Sequence, residues 1–300
     1  MPSRPYNVAW ANSLFEDNAE FGLGIAKGLE LKRKKIENYM RDNLNKDKEL
    51  FTKWLDNKND YNICMDVFKR IDFKKHKDLV SLSDYIVPNS MWIVGGDGFA
   101  YDIGYGGLDH ILSRNDNINV LVLDTEVYSN TGGQASKSSQ KGAVVQFASN
   151  GKISYKKDLA RIAMCYPGCY VACVNIGYNK EHYLKVLQEA AAYQGPSLVI
   201  AYAPCIEHGI KKGMEYSLDN SRLATDCGYF LTFRYHPLKE EFILDSKNPD
   251  FSLYDEFLSS ENRYVNLKRI HPDEAENILD SQKEWAMKRY DYYKRLDTSE

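Results

Sequence analysis

MWIVGGDGFAYDIGYGG, residues 91–107, is the stretch that decides the fold. Met91–Val94 read as a short apolar strand, and the glycines that follow turn the chain toward a helix near 102–113. The same rhythm returns downstream. Strands are predicted at Asn119–Leu123, Tyr170–Asn175, Ser197–Tyr202 and Tyr229–Phe233, with helices near 157–165, 179–193 and 213–226. Short apolar strands alternating with helices imply an α/β class: a doubly wound, mostly parallel sheet covered on both faces. In such sheets ligands bind beyond the carboxyl ends of the strands. The functional loops are therefore expected after Val94, Leu123, Asn175 and Tyr202.

On either side of this rhythm the chain reads as helical. Asn12 or Ser13 can cap a first helix, with Glu16 completing a capping box. Leu29, Leu31 and Ile36 continue it at helical spacing, while Gly22 and Gly24 weaken it and permit close approach of another backbone. Amphipathic pieces follow near 46–57 and 61–72, and a polar helix from Asp273 to Arg295 closes the chain. The expected organisation is a helical part (1–89) packed on an α/β core (90–235), with a C-terminal extension and helix (236–300), all in one structural domain.

Composition narrows the function classes. The 300 residues are 43% hydrophobic, including 22 tyrosines, which is enough for a sizeable core. A formal charge of −3 lacks the one-sided basic surface of a nucleic-acid binder. The run Lys32, Arg33, Lys34, Lys35 reads as a solvated helix face. No apolar run is long enough for a membrane span, and the N-terminus lacks a signal-peptide core. Six cysteines, none in a CxxC pair, do not form a secreted disulfide framework; an intracellular location is expected.

The loop after the first strand, GGDGFAYDIGYGG, offers backbone N–H groups to a phosphate. It is not a dinucleotide fingerprint, because Tyr101 stands at the third glycine position counted from Gly96, and no Gly-Lys-Ser/Thr follows as a Walker loop requires. Asp97 is the informative residue. A carboxylate inside a phosphate loop repels the phosphates unless a cation lies between, and magnesium, a hard ion that takes oxygen ligands, resolves the conflict. The next strand ends in LDTEVYSNTGGQ, which brings further oxygen ligands to the same sheet edge. The plainer alternative is that Asp97 only caps the following helix.

A GDG followed by a second metal ligand in the next strand-end loop resembles the thiamine-diphosphate signature. The fuller run, GDGFAYDIGYGGLDH with LDTEVYSNTGGQ, closely resembles the thiamine domain of pyruvate:ferredoxin (flavodoxin) oxidoreductases and of their pyruvate:NADP+ oxidoreductase fusion relatives. The likeness runs from WANSLFEDNAEFG at Trp10 to YAPCIEHG near His208. It implies the thiamine-diphosphate-binding fold, with Asp97, the Thr125 hydroxyl and the Val127 carbonyl as magnesium ligands. Gly96, Asp97, Gly98 and Phe99, then Thr125, Glu126, Val127, Tyr128, Ser129 and Asn130, match the cofactor-lining loops. Asn130 matches a catalytic residue that steadies charge near the reacting carbon; the alternative is a turn-forming Asn before Thr-Gly-Gly. The implied reaction is oxidative decarboxylation of pyruvate, with the cofactor as electron sink. Electrons pass to iron–sulfur clusters and coenzyme A collects the acetyl group.

The resemblance also marks what is missing. Cys205 matches one ligand of a 4Fe-4S cluster that forms only in the intact enzyme, since such a cluster takes four thiolates. Cys64, Cys165, Cys169, Cys173 and Cys227 read as small core residues, and the substrate clamp and cofactor-activating glutamate of the family have no counterpart motif here. The chain is thus expected to be a fragment of a longer polypeptide, inactive alone, ending near a linker at Asp297–Glu300. Ferredoxin, flavodoxin or a fused flavoprotein would accept the electrons, the remaining domains of the parent enzyme would be partners, and a homodimer is expected when intact. The compartment would be the cytoplasm or a mitochondrion-related organelle. Two alternatives stand beside this reading: the β subunit of a multi-subunit 2-oxoacid:ferredoxin oxidoreductase, and a non-catalytic thiamine-fold scaffold.

Overall fold

A computed structural model describes residues 18–298. The capping box at Asn12, Ser13 and Glu16 lies outside the described residues. Two compact units divide the chain, one of residues 21–92 and one built mainly from residue 93 onward.

The smaller unit is helical. Helix α1 (Asn18–Asp42), most of which belongs to it, is followed by α2 (Lys48–Asp56), α3 (Tyr61–Arg70) and a 3-10 stretch over Lys77–Tyr85. The amphipathic patterns at 46–57 and 61–72 thus become two helices, and Asp60 caps α3 by accepting from the Ile63 N–H at 2.8 Å. Ile36, Met40, Phe51, Trp54, Val67 and Leu79 close the core, and the Trp54 indole donates to the Ile86 carbonyl at 2.8 Å. One residue of the basic run departs from a solvated face. Arg33 donates to the Tyr85 carbonyl at 2.7 Å and lies 5.3 Å from the Trp54 ring centroid. The long stem lets it cover apolar surface while its fork caps loose carbonyls. At Gly24 no backbone approaches: a Cβ there would meet nothing within 4 Å.

The larger unit is the α/β sheet the sequence implies. In chain order it comprises β1 (Trp92–Gly95), α4 (Asp97–Tyr101), α5 (Tyr105–Leu112), β2 (Asn119–Asp124), β3 (Val127–Tyr128), β4 (Gln134–Ala135), α6 (Leu159–Ala163), β5 (Tyr170–Val174), α7 (Lys180–Ala192) and β6 (Ser197–Tyr202). Then follow α8 (Ser217–Asp226), β7 (Phe233–His236), β8 (Glu241–Leu244), α9 (Tyr254–Ser260), α10 (Asn262–Ile270) and α11 (Ala275–Lys294). The six-stranded sheet runs β1-β2-β6-β5-β7-β8. β6 pairs in parallel with β2 and β5, in the register Asn119↔Ser197↔Tyr170. Every residue of β5 and β6 is buried, as a strand covered on both faces requires. β3 and β4 form a separate two-stranded ribbon.

The strand expected at Tyr229–Phe233 begins instead at Phe233, and it runs antiparallel to β5. Tyr229–Leu231 are buried, which gave the stretch its apolar look, but burial there comes from ring packing rather than strand pairing: Tyr229 lies against Phe257 with centroids 4.4 Å apart. The C-terminal extension adds a strand to its helix. β8 pairs with β7, and α11 stacks Tyr293 on Phe233 at 4.5 Å. Cys165 corrects the reading of small core cysteines. It is exposed in the turn after α6, whereas Cys64, Cys169, Cys173 and Cys227 are buried; burial pushes the Cys169 and Cys227 thiols up to about 12. Among the described residues no helix is long and apolar enough to cross a membrane.

Candidate functional site

Strand order places the carboxyl ends of β1, β2 and β6 side by side. Three loops therefore meet at one sheet edge: Gly96–Asp97 after β1, Thr125–Tyr128 after β2 and Ala203–His208 after β6.

Asp97 is the first residue of α4, only 3% exposed. The N-cap of α4 is Gly96, and the hydrogen bonds of the Asp97 carboxylate go to other loops rather than to its own helix, against the cap alternative. Its carboxylate is turned to other loops. Oδ1 accepts from the Thr125 N–H and faces the Thr125 hydroxyl, each at 3.3 Å. Oδ2 accepts from Ser136 Oγ at 2.7 Å and Ser138 Oγ at 2.6 Å. Thr125 Oγ1 in turn lies 3.0 Å from the Val127 carbonyl oxygen. The three oxygens assigned to magnesium are thus drawn together. With Asp97 ionised they hold one side-chain proton between them, that of Thr125, for two acceptors. Such an excess of oxygen acceptors suits a hard cation, so the residues present fit the metal. Burial, then the nearby Asp124 charge, pushes the Asp97 carboxyl up to about 7 despite the two serine hydroxyls. A cation at Oδ1 would oppose that shift.

The other expected site residues fall around this centre. A Cβ on Gly95 would lie 2.3 Å from the Phe99 ring, so glycine is required there for Phe99 to be buried; Phe99 acts by packing. At Gly98 a Cβ would come to 3.3 Å from the Tyr128 ring, so the two loops pass close to each other. Ser129 is partly buried and its hydroxyl has no hydrogen-bond partner, while Asn130 is exposed. The turn beyond them is closed by the Gly133 N–H donating to the Tyr128 carbonyl at 2.8 Å, with Gly132 and Gly133 at φ of 102° and 87°. Those angles explain the Thr-Gly-Gly sequence.

Glu126 lies between two of the proposed ligands but turns its side chain inward. It is wholly buried, with Lys156 Nζ at 2.9 Å and Arg263 Nη2 at 2.8 Å, and it accepts from the Tyr229 hydroxyl. Burial works against its charge, but Lys156 and Arg263 outweigh it and hold the carboxyl down at about 2. Only its backbone can line a cofactor. Lys156 also pairs with Asp124 at 2.5 Å. Arg263 continues to Glu261 at 2.7 Å, and Glu261 faces His208 Nδ1 at 3.6 Å. His208 Nε2 donates to the Thr125 carbonyl at 2.7 Å.

Sequence reasoning did not assign Ser136, Ser138, Lys156, His208, Glu261 or Arg263. The serine-rich ASKSSQ and the buried His of YAPCIEHG were visible but carried no spacing signal; Glu261 immediately precedes, and Arg263 lies on, a helix the sequence did not announce. Cys205 sits in the loop after β6, 8% exposed. Among the described residues no group of three or more His, Cys, Asp or Glu is placed to hold a metal.

Residues 84–201 match the family described as thiamine pyrophosphate enzyme, C-terminal TPP binding domain. The chain is 44% identical over 280 residues to the pyruvate-flavodoxin oxidoreductase of Klebsiella pneumoniae, an alignment covering 85% of this chain and 24% of that protein. It is 45% identical over 285 residues to the pyruvate:ferredoxin oxidoreductase of Moorella thermoacetica, with the same coverages of 85% and 24%. It is 43% identical over 259 residues to the mitochondrial pyruvate dehydrogenase (NADP(+)) of Euglena gracilis, covering 80% of this chain and 14% of that protein. The chain thus spans about a quarter of the length of the first two relatives. The family likeness read from the residues is upheld, and the mostly parallel sheet fits the matched domain.

Proposed function

Since residues 84–201 of this chain are a thiamine pyrophosphate-binding domain of the kind found in pyruvate-flavodoxin and pyruvate:ferredoxin oxidoreductases, we propose that it binds thiamine diphosphate through Mg2+ held by Asp97, Thr125 and Val127, as part of a pyruvate oxidoreductase that forms acetyl-CoA. The observation that carries the reading is the convergence of Asp97 Oδ1, Thr125 Oγ1 and the Val127 carbonyl within 3.0–3.3 Å links on loops from two adjacent strands.

When bound, thiamine diphosphate supplies a carbon nucleophile and an electron sink for decarboxylation. The residues of the chain do the rest. Asp97, the Thr125 hydroxyl and the Val127 carbonyl would hold the cation, and Ser136 and Ser138 fix the second Asp97 oxygen. The N–H groups of the Gly96–Phe99 turn would be offered to the phosphates. Asn130, exposed at the turn after Ser129, steadies charge at the reacting carbon. Ferredoxin or flavodoxin as electron acceptor follows the names of the relatives, coenzyme A follows the family likeness read from the residues, and both belong to the same proposal. So does Cys205 as a 4Fe-4S ligand that needs cysteines from elsewhere. The chain alone is proposed to turn over little or no pyruvate; among the described residues no group of three or more His, Cys, Asp or Glu gathers at Cys205 to hold a cluster.

Calorimetric titration of the purified chain with thiamine diphosphate, with Mg2+ and then with EDTA, tests the binding reading. Saturable, Mg2+-dependent binding is expected; none at millimolar cofactor by a folded chain would overturn it. Adding pyruvate, coenzyme A and a viologen dye tests the rest: clear dye reduction would refute inactivity of the chain by itself.

A further inference from the structure

Glu126 combines three features that packing alone does not explain. It is a non-glycine residue at φ 58°, it is fully buried, and it stands between Thr125 and Val127. A left-handed conformation at a residue with a Cβ is strained and persists where the surroundings over-determine it. The surroundings here do so at four points. The carbonyl before Glu126 accepts from His208 Nε2 at 2.7 Å, and its own carbonyl accepts from the Ser139 hydroxyl. Its carboxylate is clamped by Lys156 and Arg263. Directly after it, Val127 pairs with Ala135 in the β3–β4 ribbon.

Two of these anchors are joined behind the loop. Arg263 pairs with Glu261 at 2.7 Å, Glu261 faces His208 at 3.6 Å, and Glu261 is held in place by Asn220 Nδ2 at 2.8 Å. The chain of contacts Thr125–His208–Glu261–Arg263–Glu126 therefore closes on itself. His208, Glu261 and Glu126 are wholly buried and Arg263 is 2% exposed, so water does not compete with the ring.

We propose that this buried ring is a positioning device, with His208 and Glu126 as positioning residues. It holds the backbone of 125–127 in the left-handed bend that brings the Thr125 hydroxyl and Val127 carbonyl together opposite Asp97. The inference rests on the metal-site reading above, and it goes beyond it by making ligand geometry depend on residues that touch neither metal nor cofactor. Groups behind metal ligands typically govern about 10–100-fold in affinity.

The test compares His208→Leu with His208→Gln in the full chain, because the Gln amide can still donate to the Thr125 carbonyl and Leu cannot. Two readouts are taken: Mg2+ affinity at saturating thiamine diphosphate, and hydrogen exchange of the backbone amides of residues 125–127 without metal. His208→Leu is expected to weaken Mg2+ binding about 10–100-fold and to speed exchange in the loop, while His208→Gln stays within about threefold of wild type in both. A folded His208→Leu with wild-type affinity and exchange would overturn the proposal, as would His208→Gln behaving like His208→Leu. If His208→Leu does not fold, Glu261→Gln decides, since it keeps the side-chain size but breaks the charge link; wild-type values in that variant overturn the ring. A wild-type chain that binds no Mg2+ refutes the metal reading instead, and the exchange comparison still judges the ring.

Discussion

Replacing Asp97 with Asn should stabilise the metal-free chain while abolishing its Mg2+-dependent cofactor binding. Asp97 is 3% exposed, and its carboxyl is pushed from an ordinary 3.8 up to about 7, first by burial and then by the Asp124 charge. The folded state thus holds this proton more tightly than the unfolded chain. Stability from this group is fully present below the unfolded value, declines as pH rises through 3.8 toward about 7, and is flat above it. A shift of about three units corresponds to about 4 kcal/mol of burial penalty on the charged form at pH 8. Asn removes the charge and keeps the shape, but it weakens the bonds from Ser136 and Ser138 that a carboxylate accepts well. The expected net gain is about 1–3 kcal/mol at pH 8, shrinking toward zero near pH 4. Urea unfolding of both proteins in EDTA at pH 8 and pH 4.5 measures it, with calorimetric titration alongside. An Asp97→Asn chain less stable than wild type at pH 8 without metal would refute the reasoning, because the carboxylate would then be a stabilising group in its own right.

Other perturbations probe the frame behind the loops. Lys156→Met leaves Asp124 and Glu126 buried without their shared cation; unfolding free energy should fall by about 3–5 kcal/mol, and a loss under about 1 kcal/mol in denaturant titration would contradict the assigned pairing. Gly177→Ala places a Cβ 2.4 Å from the Leu218 carbonyl oxygen, so the loop after β5 must shift; a loss of about 1–3 kcal/mol is expected in thermal unfolding, and an unchanged midpoint would contradict the close approach.

The frame of the site was legible because its signals are local. A strand of apolar residues, a glycine turn and a carboxylate in the glycine-rich loop lie within Met91–Asp97, and Thr125 follows at the next strand end. Each is set by φ/ψ preference or short-range chemistry. What the sequence hid is contact between distant segments. Nothing near Glu126 reveals that its partner Arg263 lies on α10, and nothing near Asp97 reveals the two serines at 136 and 138. Tyr229–Leu231 misled for the same reason: an apolar run looks alike whether it is buried by a neighbouring strand or by aromatic rings. Arg33 misled in the other direction, since a charged residue on a helix reads as solvated until its carbonyl partners are known.

The central claim is that Asp97, Thr125 and Val127 hold the cation of a thiamine diphosphate site. Crystals of the chain grown with thiamine diphosphate and Mn2+ in place of Mg2+ test it most directly through anomalous scattering. One peak within about 2.0–2.3 Å of Asp97 Oδ1, Thr125 Oγ1 and the Val127 carbonyl oxygen is the expected result. A cofactor bound with the peak elsewhere, or with no metal against those three oxygens, would contradict it.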